Sequence, residues 1–313
     1  MTVTITWQNA HRVAAIAAAQ AHGDLGVEAT AGPVDVGAAI DRAGVVLMYQ
    51  PLPTLFGVYL HGATTGPGIM VNNALTRAVR RHTAAHELGH HRFGHQSSIE
   101  SGADAENPSA SLRATRRGGW SDEEKVAEAF ASWFLMPRRA VVAVCSEMGM
   151  TAPRAPAQVY QLALRLGTTF AATVRHLGVL KLISQAQARS WAAVSPAVLK
   201  RQLAGDGITS TRGLDVWDLT VAPAYTSASV ASPGDIMMLP TEIGEECAVE
   251  GPAEILGSVA GGWAVRCGDP GEGDARVILT GGSMQYSIRV SGRPRGIYRQ
   301  VDNSLLQATE GAL

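Results

Sequence analysis

The residues best suited to chemistry lie between positions 82 and 95, where the sequence reads HTAAHELGHHRFGH and holds five of the chain's nine histidines. Within it, His86, Glu87 and His90 have the spacing H-E-x-x-H. Residues four apart on a helix lie on one face, so His86 and His90 can direct two imidazoles to one metal ion. Glu87 projects about 100° round the helix, beside the ion, where it can take a proton from water. The spacing therefore predicts a metal centre with an adjacent general base.

A third ligand has to come from another part of the chain. Zinc in a catalytic site keeps three protein ligands and one open position for water. Extended forms of the motif would place that ligand at Gln96, six residues after His90, or need a Gly and a His at distances that this chain does not supply. His95 is only five residues after His90 and is mispositioned for that role. We expect the ligand on the next helix, where Glu124 and Glu128 are one turn apart.

The roles of Glu124 and Glu128 can be assigned in more than one way. One could bind the metal while the other orients a liganding histidine from behind. Glu124 also follows Ser121 by three residues, the spacing at which a capping box would use its carboxylate to reach the Ser121 amide. In that case Glu128 or Glu123 would be the ligand. Both assignments stay open from the residues alone.

The other histidines of the cluster are assigned supporting roles. His91 and His95 are expected to pack beside the site or to hold a ligand in place, and not to bind the metal. His82, one turn before His86, is expected to be structural, with proton donation from the pocket as its alternative.

The helices and strands that position these residues can be outlined from the periodicity of apolar residues and from the capping, Gly and Pro residues that end each element. An alanine-rich helix is expected near Asn9 to Ala21, and a short helix in PVDVGAAIDRAG that Gly44 ends. The runs VVLMY, LFGVYL and GIMVN predict a small sheet. The histidine cluster lies on a helix within 74–91, and Ser121 begins a second helix that Pro137 ends. The polar stretch 96–119 between them is long for a compact domain and is therefore expected to be mobile or functional.

The rest of the chain divides into two further segments. Residues 141–212 are helical, and two short helices that meet at Gly167 have the outline of a helix-turn-helix. From about Asp215 onward, runs such as DIMMLP, WAVRC, RVILT and YSIRVSG, broken by glycine-rich turns, predict a small antiparallel β domain. Positive charge in the middle segment comes from Arg154, Arg165, Arg175 and Lys181. Helix packing explains most of the segment's pattern, so DNA binding is the weaker expectation.

Composition sets limits on location and partners. A net charge of -1 gives no overall attraction to nucleic acid. The uncharged run 43–76 is cut by Pro51, Pro53 and glycines into pieces too short to span a membrane. The start of the chain lacks the pattern of a signal peptide. Three widely spaced cysteines favour reduced thiols and a cytoplasmic location, with a Cys247–Cys267 bridge as the alternative.

These residues resemble the ImmA/IrrE metallopeptidases over about positions 10–200. The resemblance depends on HTAAHELGHHRFGH, on EKVAEAFASWFLMP downstream and on GIMVNN upstream, in that order. The second motif of the family is matched here by Glu124, Ala127, Phe130, Ala131, Leu135, Met136 and Pro137. Two positions differ, since Glu128 stands where the family has Asn and Phe134 where it has Leu.

The resemblance implies a fold and a set of roles. His86, His90 and Glu124 would be zinc ligands, with manganese as the alternative ion, and Glu87 would be the general base. Together with the segments outlined above, the expected fold class is α+β, with a zincin-like metallopeptidase domain and small sheet over 1–140 and a helix-turn-helix-like segment over 141–212. The β-rich domain expected over 213–313 lies outside the resemblance. Because the β-run GIMVNN directly precedes the metal helix, we also hypothesise that its edge holds the substrate as an added strand.

The resemblance also implies a function. Proteins of this family typically cleave or inactivate a helix-turn-helix transcriptional repressor and so relieve repression, which makes such a repressor the expected partner. Two alternatives stay open: a metal-stabilised regulatory protein that antagonises a repressor without proteolysis, and a component of a toxin–antitoxin or phage-defence system.

Overall fold

The structure is a computed structural model that describes residues 4–29, 32–62, 66–96, 98–101, 120–205, 208, 210–220, 229–240, 247–259, 262–271, 273–281 and 284–299. Most of the polar stretch expected at 96–119 lies outside these described residues. The described part contains helices and three sheets, which is the mixed α+β composition predicted from the sequence.

The helices begin and end close to the capping and glycine residues at which the sequence predicted their ends. Ser121 accepts a hydrogen bond from the Glu124 amide and caps the second helix of the site, while Gly44 and Gly167 have positive φ angles after the helices they end. The described helices are α1 (Trp7–Asp24), α2 (Val36–Arg42), α3 (Arg77–Arg92), α4 (Asp122–Leu135), α5 (Arg138–Glu147), α6 (Pro156–Leu166), α7 (Phe170–Val179), α8 (Gln185–Ala192) and α9 (Pro196–Ala204).

The first sheet has five strands, β1 (Val46–Gln50), β2 (Leu55–Leu60), β3 (Gly68–Asn72), β4 (Ser98–Ser101) and, from the end of the described chain, β13 (Gly296–Ile297). Their order is β13-β1-β3-β2-β4, so β3, the GIMVN run, lies in the interior of the sheet. It pairs in parallel with β1 and antiparallel with β2. The hypothesis that GIMVNN offers an edge to the substrate is therefore wrong, because both neighbours already use its backbone groups.

The C-terminal segment forms two four-stranded sheets. Their orders are β5-β7-β10-β9 and β6-β12-β11-β8. The strands are β5 (Val216–Asp218), β6 (Val230–Ala231), β7 (Ile236–Pro240), β8 (Cys247–Glu250), β9 (Ala253–Val259), β10 (Gly262–Cys267), β11 (Asp274–Gly281) and β12 (Met284–Ser291).

The pairing in these two sheets is antiparallel except at one edge of each. The expectation of a wholly antiparallel domain fails there, because β5 and β6 pair in parallel with β7 and β12. Both exceptions are very short strands that are added at an edge after a connection, whereas hairpin neighbours are antiparallel. The cysteines are free thiols, so the alternative of a Cys247–Cys267 bridge is also wrong.

The helical segment is attached to the C-terminal sheets through α6. Gln161 donates to the Val216 carbonyl and accepts from the Asp218 amide, both at 2.9 Å, and so joins α6 to β5 as another strand would. In the helix-turn-helix-like pair, most residues from Thr168 to Leu177 are buried and Arg175 is exposed. Packing accounts for the pattern of this segment. None of the described helices is long and apolar enough to cross a membrane.

Helix α4 packs against both α1 and α3, and two buried histidines bind its C-terminal end. His22 of α1 donates from Nε2 to the Phe134 carbonyl at 2.9 Å, and His176 of α7 donates from Nε2 to the Met136 carbonyl at 2.9 Å. These carbonyls lie at the C-terminal end of the helix, where no backbone N–H of a following helical turn is available to them. The two bonds therefore fix the position of α4 from two sides.

The buried state of His176 predicts a dependence of stability on pH. Burial lowers its pKa to about 3, against the opposing effect of the Met136 hydrogen bond. Because the unfolded chain binds a proton near pH 6.5, the stability that neutral His176 contributes is complete above that pH and is lost as the pH falls toward 3. His176→Gln keeps an N–H donor without the titration. Between about pH 7 and pH 5, we expect the unfolding free energy of the wild type to decrease by about 2 kcal/mol more than that of His176→Gln.

Urea unfolding at a series of pH values measures this difference. Equal pH dependence in the two proteins would contradict the assignment of His176 as a buried, neutral donor.

Candidate metal centre

Helices α3 and α4 bring two imidazoles and one carboxylate together. His86 Nε2 is 3.2 Å from Glu124 Oε2, His90 Nε2 is 3.4 Å from Glu124 Oε1, and the two imidazole nitrogens are 3.0 Å apart. One ligand atom from each of the three residues lies within 4.8 Å of the others. Both histidines are about 1% exposed, and Glu124 is partly exposed. Their donor set suits zinc, and the partly exposed side leaves an approach for water and substrate.

The close approach of the two helices depends on a glycine inside the motif. A Cβ atom on Gly89 would lie 3.1 Å from Phe130 Cδ1 and 3.2 Å from Ala127 Cα. Those distances are shorter than ordinary van der Waals contacts, so a larger residue at position 89 would push α4 away. The small residues Gly89 and Ala127 therefore allow Glu124 to reach both histidines.

The local structure at the start of α4 decides between the two roles considered for Glu124. Its backbone N–H donates to Ser121 Oγ at 3.2 Å, while its carboxylate turns to His86 and His90. The alternative in which the carboxylate completes a capping box is therefore wrong. Glu123 is exposed and lies outside the group of three.

Glu128 lies behind the site and contacts the opposite edge of the His86 ring. Its Oε2 accepts a hydrogen bond from His82 Nε2 at 2.8 Å and is 3.6 Å from His86 Nδ1. His86 thus has Glu124 at Nε2 and Glu128 toward Nδ1, which fixes how the ring faces the site. Glu128 is thus placed to orient His86, and His82 in turn holds Glu128 in position.

The charge states of these groups match those that metal ligands need. Burial disfavours the charged form of Glu124, but hydrogen bonds from His86 and His90 outweigh burial and hold its pKa below the ordinary value. The pKa of Glu128 is likewise lowered, because the charge of His82 and its hydrogen bond outweigh burial. Burial lowers the pKa of His90 and keeps it neutral. Ionised carboxylates and neutral imidazoles are the ligand forms.

The remaining histidines of the cluster contact the site without joining it. His95 Nδ1 is 2.9 Å from His90 Nδ1, on the ring edge away from Glu124. His91 Nδ1 is 3.2 Å from the hydroxyl of Tyr59 in β2. Neither belongs to the group of three. These positions agree with the supporting roles expected from the sequence.

Glu87 is fully buried and points toward the sheet beside the metal-ligating face. A Cβ atom on Gly57 of β2 would lie 3.3 Å from Glu87 Oε1 and 2.5 Å from Thr83 Cγ2. Gly57 therefore lets β2 pass directly over α3 at the predicted base. Sequence reasoning missed Gly57 and Gly89, although a glycine inside a strand or a helix is a recognised sign of close backbone approach.

Comparison with known families covers the part of the chain that carries this site. A family model for peptidases, described as the IrrE N-terminal-like domain, matches residues 40–177. The matched range contains α3, α4 and the sheet strands β1 to β4, and the resemblance seen in the two motifs is confirmed over it. No curated protein matches the chain.

The tight contact at Gly89 predicts an effect on metal binding without any change of ligand. In Gly89→Ala the added methyl group forces α4 outward by a few tenths of an ångström, so we expect zinc affinity to fall about tenfold, as for other residues that hold ligands in place. Gly23→Ala in α1 is the matched control, because a Cβ atom there meets nothing within 4 Å. Competition against a chromophoric chelator measures both affinities. Unchanged affinity in Gly89→Ala would show that the helix contact does not control the site.

Proposed function

Because residues 40–177 belong to the IrrE N-terminal-like family of peptidases, we propose that the chain is a zinc-dependent, site-specific endopeptidase. The observation that carries this proposal is the convergence of His86, His90 and Glu124, next to Glu87 on the same helix. In this assignment the group of three holds the ion and Glu87 is the catalytic base. Manganese is the alternative ion, since carboxylate and imidazole ligands also suit it.

The residues present fit a catalytic metal better than a purely structural one. Structural zinc sites are closed by four protein ligands, whereas catalytic sites keep three and an open position. The described residues supply three, and Glu124 keeps part of its surface exposed. An ion bound there would supply Lewis acidity toward water and a peptide carbonyl.

Glu87 would carry the proton through the reaction. Its carboxylate removes a proton from water as the water oxygen forms a bond to the carbonyl carbon of the scissile peptide. The same proton then passes from Glu87 to the amide nitrogen as the C–N bond breaks, so the products are a carboxylic acid and an amine. Burial of Glu87 keeps bulk water away from this transfer. Glu128 and His82 act as positioning residues, because they contact His86 and not the substrate.

An extended substrate would lie along the side of the sheet that is closest to Glu87. That side is formed by β2, where Gly57 passes over Glu87, and by β4, whose Glu100 pairs with Gly57. Among the described strands β4 is the outer one at this edge. A peptide added there would gain backbone hydrogen bonds, as in other strand-addition complexes.

The proposed substrate is a helix-turn-helix transcriptional repressor whose inactivation relieves repression. This assignment rests on the family resemblance, in which such repressors are the usual targets. The alternative function is binding to a repressor without cleaving it, and this function does not need Glu87. A base is required for hydrolysis and dispensable for binding, so one substitution separates the two.

Glu87→Gln tests the proposal with repressors of the helix-turn-helix class from the same genome. We expect the zinc-loaded variant to cut at least about a hundredfold more slowly than the wild type, since general-base catalysis contributes about 10²–10⁴-fold. Its zinc content should stay unchanged, because Glu87 is not a ligand. Intact-mass spectrometry of the repressor detects the fragments, and the exposed acid substitution Glu123→Gln is the control.

Cleavage by Glu87→Gln at the wild-type rate would contradict the assigned base. Relief of repression by Glu87→Gln as strong as that by the wild type would favour the antagonist that works without proteolysis.

A further inference from the structure

Five arginines from two distant parts of the sequence gather at the start of the metal-ligating helix. Arg77, Arg80 and Arg81 lie in the first two turns of α3, Arg289 lies in β12, and Arg293 follows that strand. Besides burial, the charge of Arg289 lowers the pKa of Arg77 and Arg81, and the charge of Arg293 lowers that of Arg80, which brings the two groups of arginines together. We call these five residues the arginine cluster. Arg77 and Arg81 converge on the turn between α6 and α7, where a Cβ atom on Gly167 would lie 3.0 Å from Arg77 Nη1 and 2.8 Å from Arg81 Nε.

The hydrogen-bond partners of Arg80 and Arg81 are backbone carbonyls and not acids. Arg81 donates to the carbonyls of Gly167 at 3.0 Å and Val34 at 2.7 Å, and Arg80 donates to the carbonyl of Leu75. Arg77 makes no hydrogen bond or ion pair with the described residues. Within this part of the chain, no carboxylate lies within 4.0 Å of the three guanidinium groups.

The nearest acids are already occupied by other donors. Asp235 accepts hydrogen bonds from the Asp215 and Ser232 amides, each at 2.8 Å, and from Trp217 Nε1 at 3.2 Å. Asp35 accepts from the Ala38 amide at 3.0 Å and caps α2. Asp274 is 3.5 Å from the guanidinium of Arg289, where it neutralises one charge of the five. The cluster therefore keeps an excess of positive charge.

The three arginines of α3 are shielded from solvent, since Arg80 is buried and Arg77 and Arg81 are partly buried, whereas Arg289 and Arg293 are exposed. Burial and the neighbouring charges of Arg81 and Arg289 lower the pKa of Arg77 well below its ordinary value. Burial lowers the pKa of Arg81 to about 10. The side chains of Arg77 and Arg81 nevertheless keep part of their surface accessible, so an anion from solvent can reach them. Cations held together away from bulk water are costly unless an anion accompanies them.

We propose that the arginine cluster is a binding site for a phosphate group of a small anionic ligand. Guanidinium groups match phosphate oxygens through paired hydrogen bonds, and a doubly charged group offsets two cations at once. A phosphate bound by these guanidinium groups would connect α3 with β12 beside the α6–α7 turn. Arg77 is nine residues before His86, about 14 Å along the helix, so this site is separate from the metal centre.

Titration calorimetry on the zinc-loaded full chain tests the proposal with inorganic phosphate and with a nucleoside monophosphate at constant ionic strength. We expect saturable binding of one phosphate group per chain that weakens at least tenfold in Arg77→Gln and in Arg289→Gln. Arg77 has no partner to lose and Arg289 lies on an exposed strand position, so both variants should fold. Arg175→Gln, which removes an exposed arginine of α7 outside the cluster, should bind as the wild type does.

The two probes identify the source of the phosphate. Similar affinity for both indicates inorganic phosphate, and tighter binding of the nucleotide indicates a nucleotide ligand, and either supports the site. Equal binding by wild type and Arg77→Gln would place the anion elsewhere, at the metal for example, and overturn the proposal. Absence of saturable binding would also overturn it. Neither result depends on peptidase activity.

Discussion

The close packing of α3 against α4 at Gly89 and Ala127 is the contact on which the rest of the site depends. Ligands on two helices can share one ion only when the helix axes are near enough for a glutamate to reach both imidazoles. Glu124 does so at 3.2 and 3.4 Å because no side chain at position 89 separates the helices. A glycine inside a helix lowers helix stability by about 1 kcal/mol relative to alanine. At position 89 this loss accompanies the close helix packing that lets Glu124 reach both histidines.

Several long-range contacts keep α4 at this distance. At its N-terminal end, Asp122 accepts from the Ile5 amide and Lys125 donates to the Ile5 carbonyl. At its C-terminal end, buried His22 and His176 donate to carbonyls of its last residues. Between these ends the helix packs against both α1 and α3. The metal centre is thus held by the whole helical layer and not by the motif alone, which explains why substitutions far from the ligands are expected to affect it.

The local pattern of the sequence predicted the parts of the site that are local. The spacing of His86 and His90 placed both on one face of α3, and Ser121 predicted the start of α4. The choice between Glu124 and Glu128 needed the structure, because residues one turn apart on a helix point in similar directions. The interior position of β3, the parallel edge strands and the pairing of β13 with β1 were beyond the sequence, since periodicity carries no information about which strands are neighbours. The arginine cluster was missed because its members are about two hundred residues apart.

The metal content of purified wild type, Glu124→Gln and Glu128→Gln, measured by mass spectrometry, tests whether Glu124 is the third ligand. We expect one zinc per chain in the wild type, loss of the metal in Glu124→Gln, and retention with an affinity about 10–100-fold weaker in Glu128→Gln, as for residues that orient ligands. A folded wild type without bound metal, or metal lost from Glu128→Gln and kept by Glu124→Gln, would contradict this assignment.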